Sequence, residues 1–243
     1  MNTKKSTLFF AAIAAIATSA SANLVQNADF EQTTLTSSQQ FAGSTQVANW
    51  STTGYNFLFM PGTADSTGAA RIGWPDIVTF WGPNTGVANG FEDSPTGGNW
   101  IGADGAYLVG PIQQTINNLV VGQNYQLSFD WAAAQQSGYY GPTTEGWIVS
   151  LGNQTFATEI LHNPNQGFQD WRQQTFNFTA TSTSEVLSFL AAGTPTGNPP
   201  FSLLDNVQLN AVPEPGSLAL MLAAMGVLVA NSRRRGNASK SEG

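Results

Sequence analysis

The stretch YQLSFDW, residues 125–131, decides the fold. Tyr125, Leu127, Phe129 and Trp131 alternate with Gln126, Ser128 and Asp130. A strand points successive side chains to opposite faces, so this pattern predicts a strand with one apolar and one polar face. Gly122, Gln123 and Asn124 read as the turn before it. The same alternation recurs at residues 173–178, with Phe176 and Phe178 inward and Thr175 and Asn177 outward, and at 185–191, with Leu187 and Phe189 inward. Residues 106–109, 112–116, 147–151, 155–160 and 202–209 are further strand candidates. Helical periodicity is nearly absent from residues 23–211. The expected fold is therefore all-β, a two-sheet antiparallel β-sandwich. Between residues 61 and 105 the alternation dissolves into Gly, Pro, Asn and Thr, with Trp74, Trp81, Phe91 and Trp100 embedded. A structureless loop of that length is improbable in a compact domain, so short strands and ordered loops are expected there.

Five phrases resemble, in order, the galactose-binding-like jelly rolls common among carbohydrate-binding modules. They are NLVQNADFE (23–31), VANW (47–50), residues 113–130, residues 171–190 and LDNV (204–207). Ala28 stands where the family's opening phrase usually has Gly. The resemblance implies a jelly roll whose first and last strands are neighbours. It also implies a structural Ca²⁺ shared by the acids of the opening and closing phrases, here Glu31 and Asp205, with Asp29 and Asp104 as weaker helpers. Such oxygen ligands suit that cation. The competing reading is that these carboxylates accept hydrogen bonds from turn amides.

The two ends of the chain read as addresses. Lys4 and Lys5 precede an apolar run at 8–17, and Ala20, Ser21 and Ala22 fit the small-x-small rule. Residues 1–22 are thus expected to be a signal peptide, cleaved between Ala22 and Asn23. At the other end VPEP (Val212, Pro213, Glu214, Pro215) leads into a run that is apolar from 216 to 230 apart from Ser217. Arg233, Arg234 and Arg235 follow it. Fifteen helical residues span roughly 22 Å, short of a hydrocarbon core of about 30 Å, so a helix over 216–232 is a marginal span. The arginines place the C-terminal side, including the tail 237–243, in the cytoplasm. These three parts in this order resemble the PEP-CTERM sorting signal, a tail also labelled an ice-binding-protein C-terminal domain. That resemblance implies transient residence of 212–236 in the inner membrane. It also implies processing by exosortase near the Pro-Glu-Pro motif and release to the cell surface or the medium. Signal peptidase is the partner expected at the other end.

Residues 23–211 then form one exported domain. They hold no cysteine, so no disulfide supports them. They carry two basic side chains, Arg71 and Arg172, against thirteen Asp and Glu. That balance repels phosphate backbones and excludes nucleic acid as a partner. Catalytic signatures are sparse. His162 is the single histidine, in a turn-like His-Asn-Pro, and no zinc or phosphate-loop motif is present. Acids such as Glu92, Asp93 and Glu145 are available for glycoside hydrolysis, but nothing in the sequence pairs them. Seven tryptophans are many for one domain, and aromatic faces stack on sugar rings. Trp74, Trp81, Trp100, Tyr139 and Tyr140 lie in Gly/Pro-rich segments and are the candidate ligand-binding residues. Plugging the loops onto the sandwich is their competing role. A threonine-rich run at 179–184 is explained by ordinary exposed strand positions. The expected function is a non-catalytic, exported envelope or matrix protein that contacts exopolysaccharide or other glycans. The alternatives are a secreted glycan-active hydrolase and a purely structural biofilm matrix protein.

Overall fold

A computed structural model describes residues 22–213 and 224–226. Ala20, Glu214, Pro215, Arg233, Arg234 and Arg235 lie outside the described residues. Of the expected membrane helix only 224–226 lies inside, in helical conformation. Among the described residues no helix is long and apolar enough to cross a membrane.

In chain order the strands are β1 (Gln39–Gln40), β2 (Ser51–Thr52), β3 (Asn56–Phe59), β4 (Ala69–Ala70), β5 (Ile77–Val78), β6 (Trp100–Asp104), β7 (Ile112–Asn117) and β8 (Asn124–Gln135). They continue as β9 (Thr143–Leu151), β10 (Gln154–Ala157), β11 (Leu161–Asn163), β12 (Phe168–Thr179), β13 (Ser184–Thr194) and β14 (Pro200–Ala211). One sheet has the order β12-β8-β14-β6-β3-β1-β4-β5; the other runs β10-β9-β13-β7-β2, with β11 on β9. Every named pairing is antiparallel except β1 with β4. The result is the expected two-sheet β-sandwich.

The alternation of residues 125–131 is realised in β8. Tyr125, Leu127, Phe129 and Trp131 enter the core between the sheets, joined by Trp50, Trp147, Leu187, Phe189 and Leu209. The ends of the domain meet as expected of the first and last strands. The Leu24 N–H donates to the Leu209 carbonyl (3.0 Å), and Asn23 Oδ1 accepts from the Leu209 N–H (2.9 Å). This opening segment is bent rather than a regular strand, with positive φ at Asn27 and Phe30.

A second cluster covers the outer face of the larger sheet. It contains Phe57, Phe59, Phe80, Phe91, Trp100 and Phe201. All four residues of β3 and all five of β6 are buried, because loops from residues 60–98 pack over them. Strands buried on both faces lose their polar positions, which is why no alternation marks them. Residues 106–109, read from sequence as a strand, are a loop. Asp104 Oδ1 accepts the N–H groups of Ala106 (2.8 Å) and Tyr107 (3.0 Å), turning the chain as β6 ends. The strand expected at 155–160 stops at Ala157.

Candidate functional site

A cleft of about 560 Å³ opens at one end of the larger sheet. Four connections build it: the β4–β5 turn, the loop after β6, the loop after β8 and the loop before β14. Arg71, Asp76, Tyr107 and Tyr139 line its walls, with Tyr55 and Asp104 deeper. The size falls in the usual range for small-ligand sites.

The β4–β5 turn, RIGWPD at 71–76, supplies the arginine. The Arg71 N–H donates to the Asp76 carbonyl (2.9 Å) and the Trp74 N–H to the Arg71 carbonyl (3.2 Å). Gly73 takes φ 72°, a region closed to most side chains, which permits the reversal. The Arg71 guanidinium stands over Trp74 (4.6 Å), Tyr55 (5.5 Å) and Tyr107 (5.9 Å). Its one side-chain hydrogen bond is long, Nη2 to the Tyr107 hydroxyl at 3.4 Å. The ion pair found among the described residues is Arg172 with Glu159 (2.9 Å), so no carboxylate is paired with Arg71. Yet Asp76 and Asp104 line the same cleft. Asp104 is buried, its Oδ2 has no partner, and desolvation pushes its pKa up to about 6 against the help of the Ala106 and Tyr107 amides. Burial likewise raises Tyr55 to about 12, with Arg71 pulling the other way.

Of the five aromatic candidates, Trp74 is 58% exposed, with the arginine against its ring. Tyr139 lines the cleft, and Tyr140 is exposed beside Trp81 with ring centroids 5.5 Å apart. Two expectations fail. Trp100 is 0% exposed, stacked on Phe59 at 4.6 Å and bonded through Nε1 to Asp93 Oδ1 (3.2 Å). Trp81 is 8% exposed and donates to the Tyr139 carbonyl (2.9 Å). Both fasten loops to the sheet and offer no open face to a ligand. Arg71, Tyr107 and Asp76 were missed by the sequence reading. The available signal was a rare cation next to a tryptophan in a Gly/Pro turn.

Glu31 and Asp205 serve one loop from two sides. Ser94 Oγ and Thr96 Oγ1 donate to Asp205 Oδ2, the Asn206 N–H to its Oδ1 (2.7 Å), and the Asn99 N–H to Glu31 Oε1 (2.5 Å). Asp205 is fully buried, and desolvation pushes it up to about 6. The oxygens gathered here, two carboxylates and the Ser94 and Thr96 hydroxyls, are of the kind a hard cation takes, but the Asn99 and Asn206 N–H groups point at the same carboxylates. No cluster of three or more His, Cys, Asp or Glu that could hold a metal occurs among the described residues. Asp29 Oδ1 only meets the Glu31 N–H, at 3.5 Å. Asp104 is not a helper. It pairs with Phe201 across β14, four residues from Asp205, and belongs to the cleft.

At the two ends of the domain, Ala22 precedes the first bonds to β14, which Asn23 makes through its side chain to Val207 and Leu209, and Val212 is still attached to the sandwich. Its N–H donates to the Asn124 carbonyl (2.8 Å), and its carbonyl accepts from Gln123 Nε2 (2.6 Å). Pro213 is exposed.

Comparison with known proteins gives three kinds of likeness. Residues 211–235 match the PEP-CTERM protein-sorting motif. The chain is 29% identical over 195 residues to halomucin of Haloquadratum walsbyi (strain DSM 16790 / HBSQ001); the match takes in 77% of this chain and 2% of halomucin's length. Among solved structures, TmCBM61 in complex with β-1,4-galactotriose is similar at 12% identity, 79% of this chain and 100% of that one, with TM-score 0.45. The CBM22-1 xylan-binding domain of Paenibacillus barcinonensis Xyn10C is similar at 14% identity, 80% and 97% coverage and TM-score 0.37. Both scores lie under 0.5, so neither protein's ligand is carried over to this chain. The chain is a two-sheet β-sandwich that carries a PEP-CTERM protein-sorting motif at residues 211–235.

Proposed function

We propose that this chain is an exported glycan-binding protein of the cell envelope or extracellular matrix, sorted by exosortase and using the cleft at Arg71 to hold sugar. The observation that carries the reading is the cleft itself. Exposed aromatic faces, an unpaired guanidinium and a carboxylate converge there on a space of ligand size. Sugars need just this mixture, because each ring has an apolar face and a rim of hydroxyls. The test is titration of tryptophan fluorescence with a panel of polysaccharides, with an array of glycans alongside. Saturable quenching by at least one glycan, lost when Tyr107 and Trp74 are both replaced by alanine, is expected. A folded protein that responds to no glycan defeats the reading and leaves a structural matrix role.

One observation favours a second reading, a glycan-active hydrolase: Asp76 and Asp104 line the same cleft, and Asp104 has the raised pKa of an acid catalyst. The buried Oδ2 and the amide-bonded Oδ1 of Asp104 weigh against it, since a general acid has to meet the glycosidic oxygen within hydrogen-bond distance. Release of reducing ends from any bound polysaccharide, abolished by Asp104→Asn, decides for the hydrolase.

A structural Ca²⁺ between Glu31 and Asp205 belongs to the same proposal. Its support is that both acids already converge on the loop at 94–99.

A further inference from the structure

We propose that the cleft selects acidic sugars, hexuronates in particular, with Arg71 receiving the sugar carboxylate. This rests on the reading of the cleft as a glycan site and narrows its ligand class.

Arg71 is the anchor of the argument. Arginine has five N–H donors in a rigid fork and no acceptor. Here those donors have one long partner, the Tyr107 hydroxyl at 3.4 Å. The domain's other cation, Arg172, is satisfied by Glu159 and by the Asp170 carbonyl (3.3 Å). None of the domain's thirteen acids forms an ion pair with Arg71, whose guanidinium borders a cleft that Asp76 and Asp104 also line. Trp74, Tyr55 and Tyr107 fix it from their ring faces, so it is oriented without being neutralised. A fork so placed fits a carboxylate, which takes two parallel N–H donors.

The rest of the cleft suits the remainder of such a sugar. Asp76 is exposed on the wall and accepts from hydroxyls, which a hexuronate carries on the ring positions away from its carboxylate. Tyr107 is 44% exposed and offers a ring face. The domain's net negative charge opposes an anionic ligand at long range. At 0.15 M salt that repulsion is screened beyond about 8 Å, so the contact at Arg71 decides.

The experiment uses the full-length chain in mild detergent and 0.15 M salt, by titration calorimetry. The probes are oligogalacturonate, oligoglucuronate and oligomannuronate, each paired with its carboxyl-reduced counterpart, which keeps the ring and linkage and loses only the charge. We expect at least one uronate to bind about tenfold or more tighter than its reduced partner. Arg71→Met abolishes that preference, the ratio of affinities within the pair falling to about one. Arg71→Lys restores part of it, since lysine keeps the charge and loses the fork. Equal binding within every pair overturns the inference and leaves the glycan reading standing. A preference that survives in Arg71→Met also overturns it. Binding of neither member of any pair, with a neutral glycan bound elsewhere in the panel, overturns the inference alone; no binding to any glycan removes both. The wild-type comparison within pairs needs no variant, so it holds even if a substitution at 71 disturbs the turn.

Discussion

Glu145 is fully buried from water, yet its carboxyl makes this fold sensitive to pH. Neither side-chain oxygen completes a hydrogen bond. Desolvation pushes its pKa from 4.5 up to about 8, and nearby Thr143 and Asn163 only partly counter it. A folded pKa above the unfolded one gives stability that is complete below about pH 4.5 and fades as pH rises through about 8. Glu145→Gln removes the titration and keeps the shape. Denaturant unfolding is expected to show wild type and variant within about 1 kcal/mol of each other at pH 5, and the variant ahead by about 2 kcal/mol or more at pH 9. A difference that does not grow with pH contradicts this. Trp74 is the counterpart on the surface. Replacing it with alanine is expected to weaken glycan binding roughly three- to tenfold while leaving the melting temperature unchanged, because its ring stands in solvent against Arg71 and outside both cores. Exposure of Trp74 was legible from its turn. Burial of Trp100 was not, because its neighbours Gly, Asn and Ala resemble a loop until β3 and the 60–98 loops close over both faces.

Elements differ in how far sequence reveals them. β8, β12 and β13 have one face in the core and one in solvent or at an edge, so their period-two patterns survived and were readable. β3 and β6 sit in the middle of the larger sheet with aromatic rings on both sides, and two-residue strands such as β4 and β5 are too short to show any period. Two of the cleft's four connections, the β4–β5 turn and the loop after β6, come from that unreadable part, so its assembly could not be read before the fold. Two predictions belong here. Trp100 ties β6 to Phe59, Phe80 and Trp171, so Trp100→Ala is expected to lower unfolding free energy by about 3–5 kcal/mol. A loss under about 1 kcal/mol would mean that the outer cluster is not a second core. The loop at 94–99 hangs from Glu31 on one side and Asp205 on the other. If calcium joins them, chelation lowers the melting temperature of the wild type and leaves Glu31→Gln unmoved. An unchanged wild-type melt removes the metal and leaves the two acids as loop fasteners.

At the scale of the whole molecule, sandwich and sorting motif meet with almost no spacer. Val212 is still bonded to Asn124 and Gln123, and the motif's Pro-Glu-Pro begins at the next residue. The fold thus ends where the sorting motif starts. If a transpeptidase acts at the Pro-Glu-Pro motif, as proposed, its site begins one residue after Val212, which is still held at the turn at 122–124. Two consequences follow, both open to mass spectrometry of the mature C-terminus. In cells with exosortase the chain is expected to end near residue 213, with the full-length form ending at Gly243 accumulating in the membrane fraction only when exosortase is deleted. Insertion of six Gly and Ser residues between Ala211 and Val212 frees the motif from the sandwich and is expected to speed processing in a pulse-chase. Gln123→Ala, which cuts one of the two bonds, is expected to speed it less. Full-length protein ending at Gly243 in both strains defeats the sorting assignment. Normal processing with no change on insertion defeats only the idea that the sandwich restrains its own tail, because an enzyme indifferent to the spacer has no need to approach the folded face.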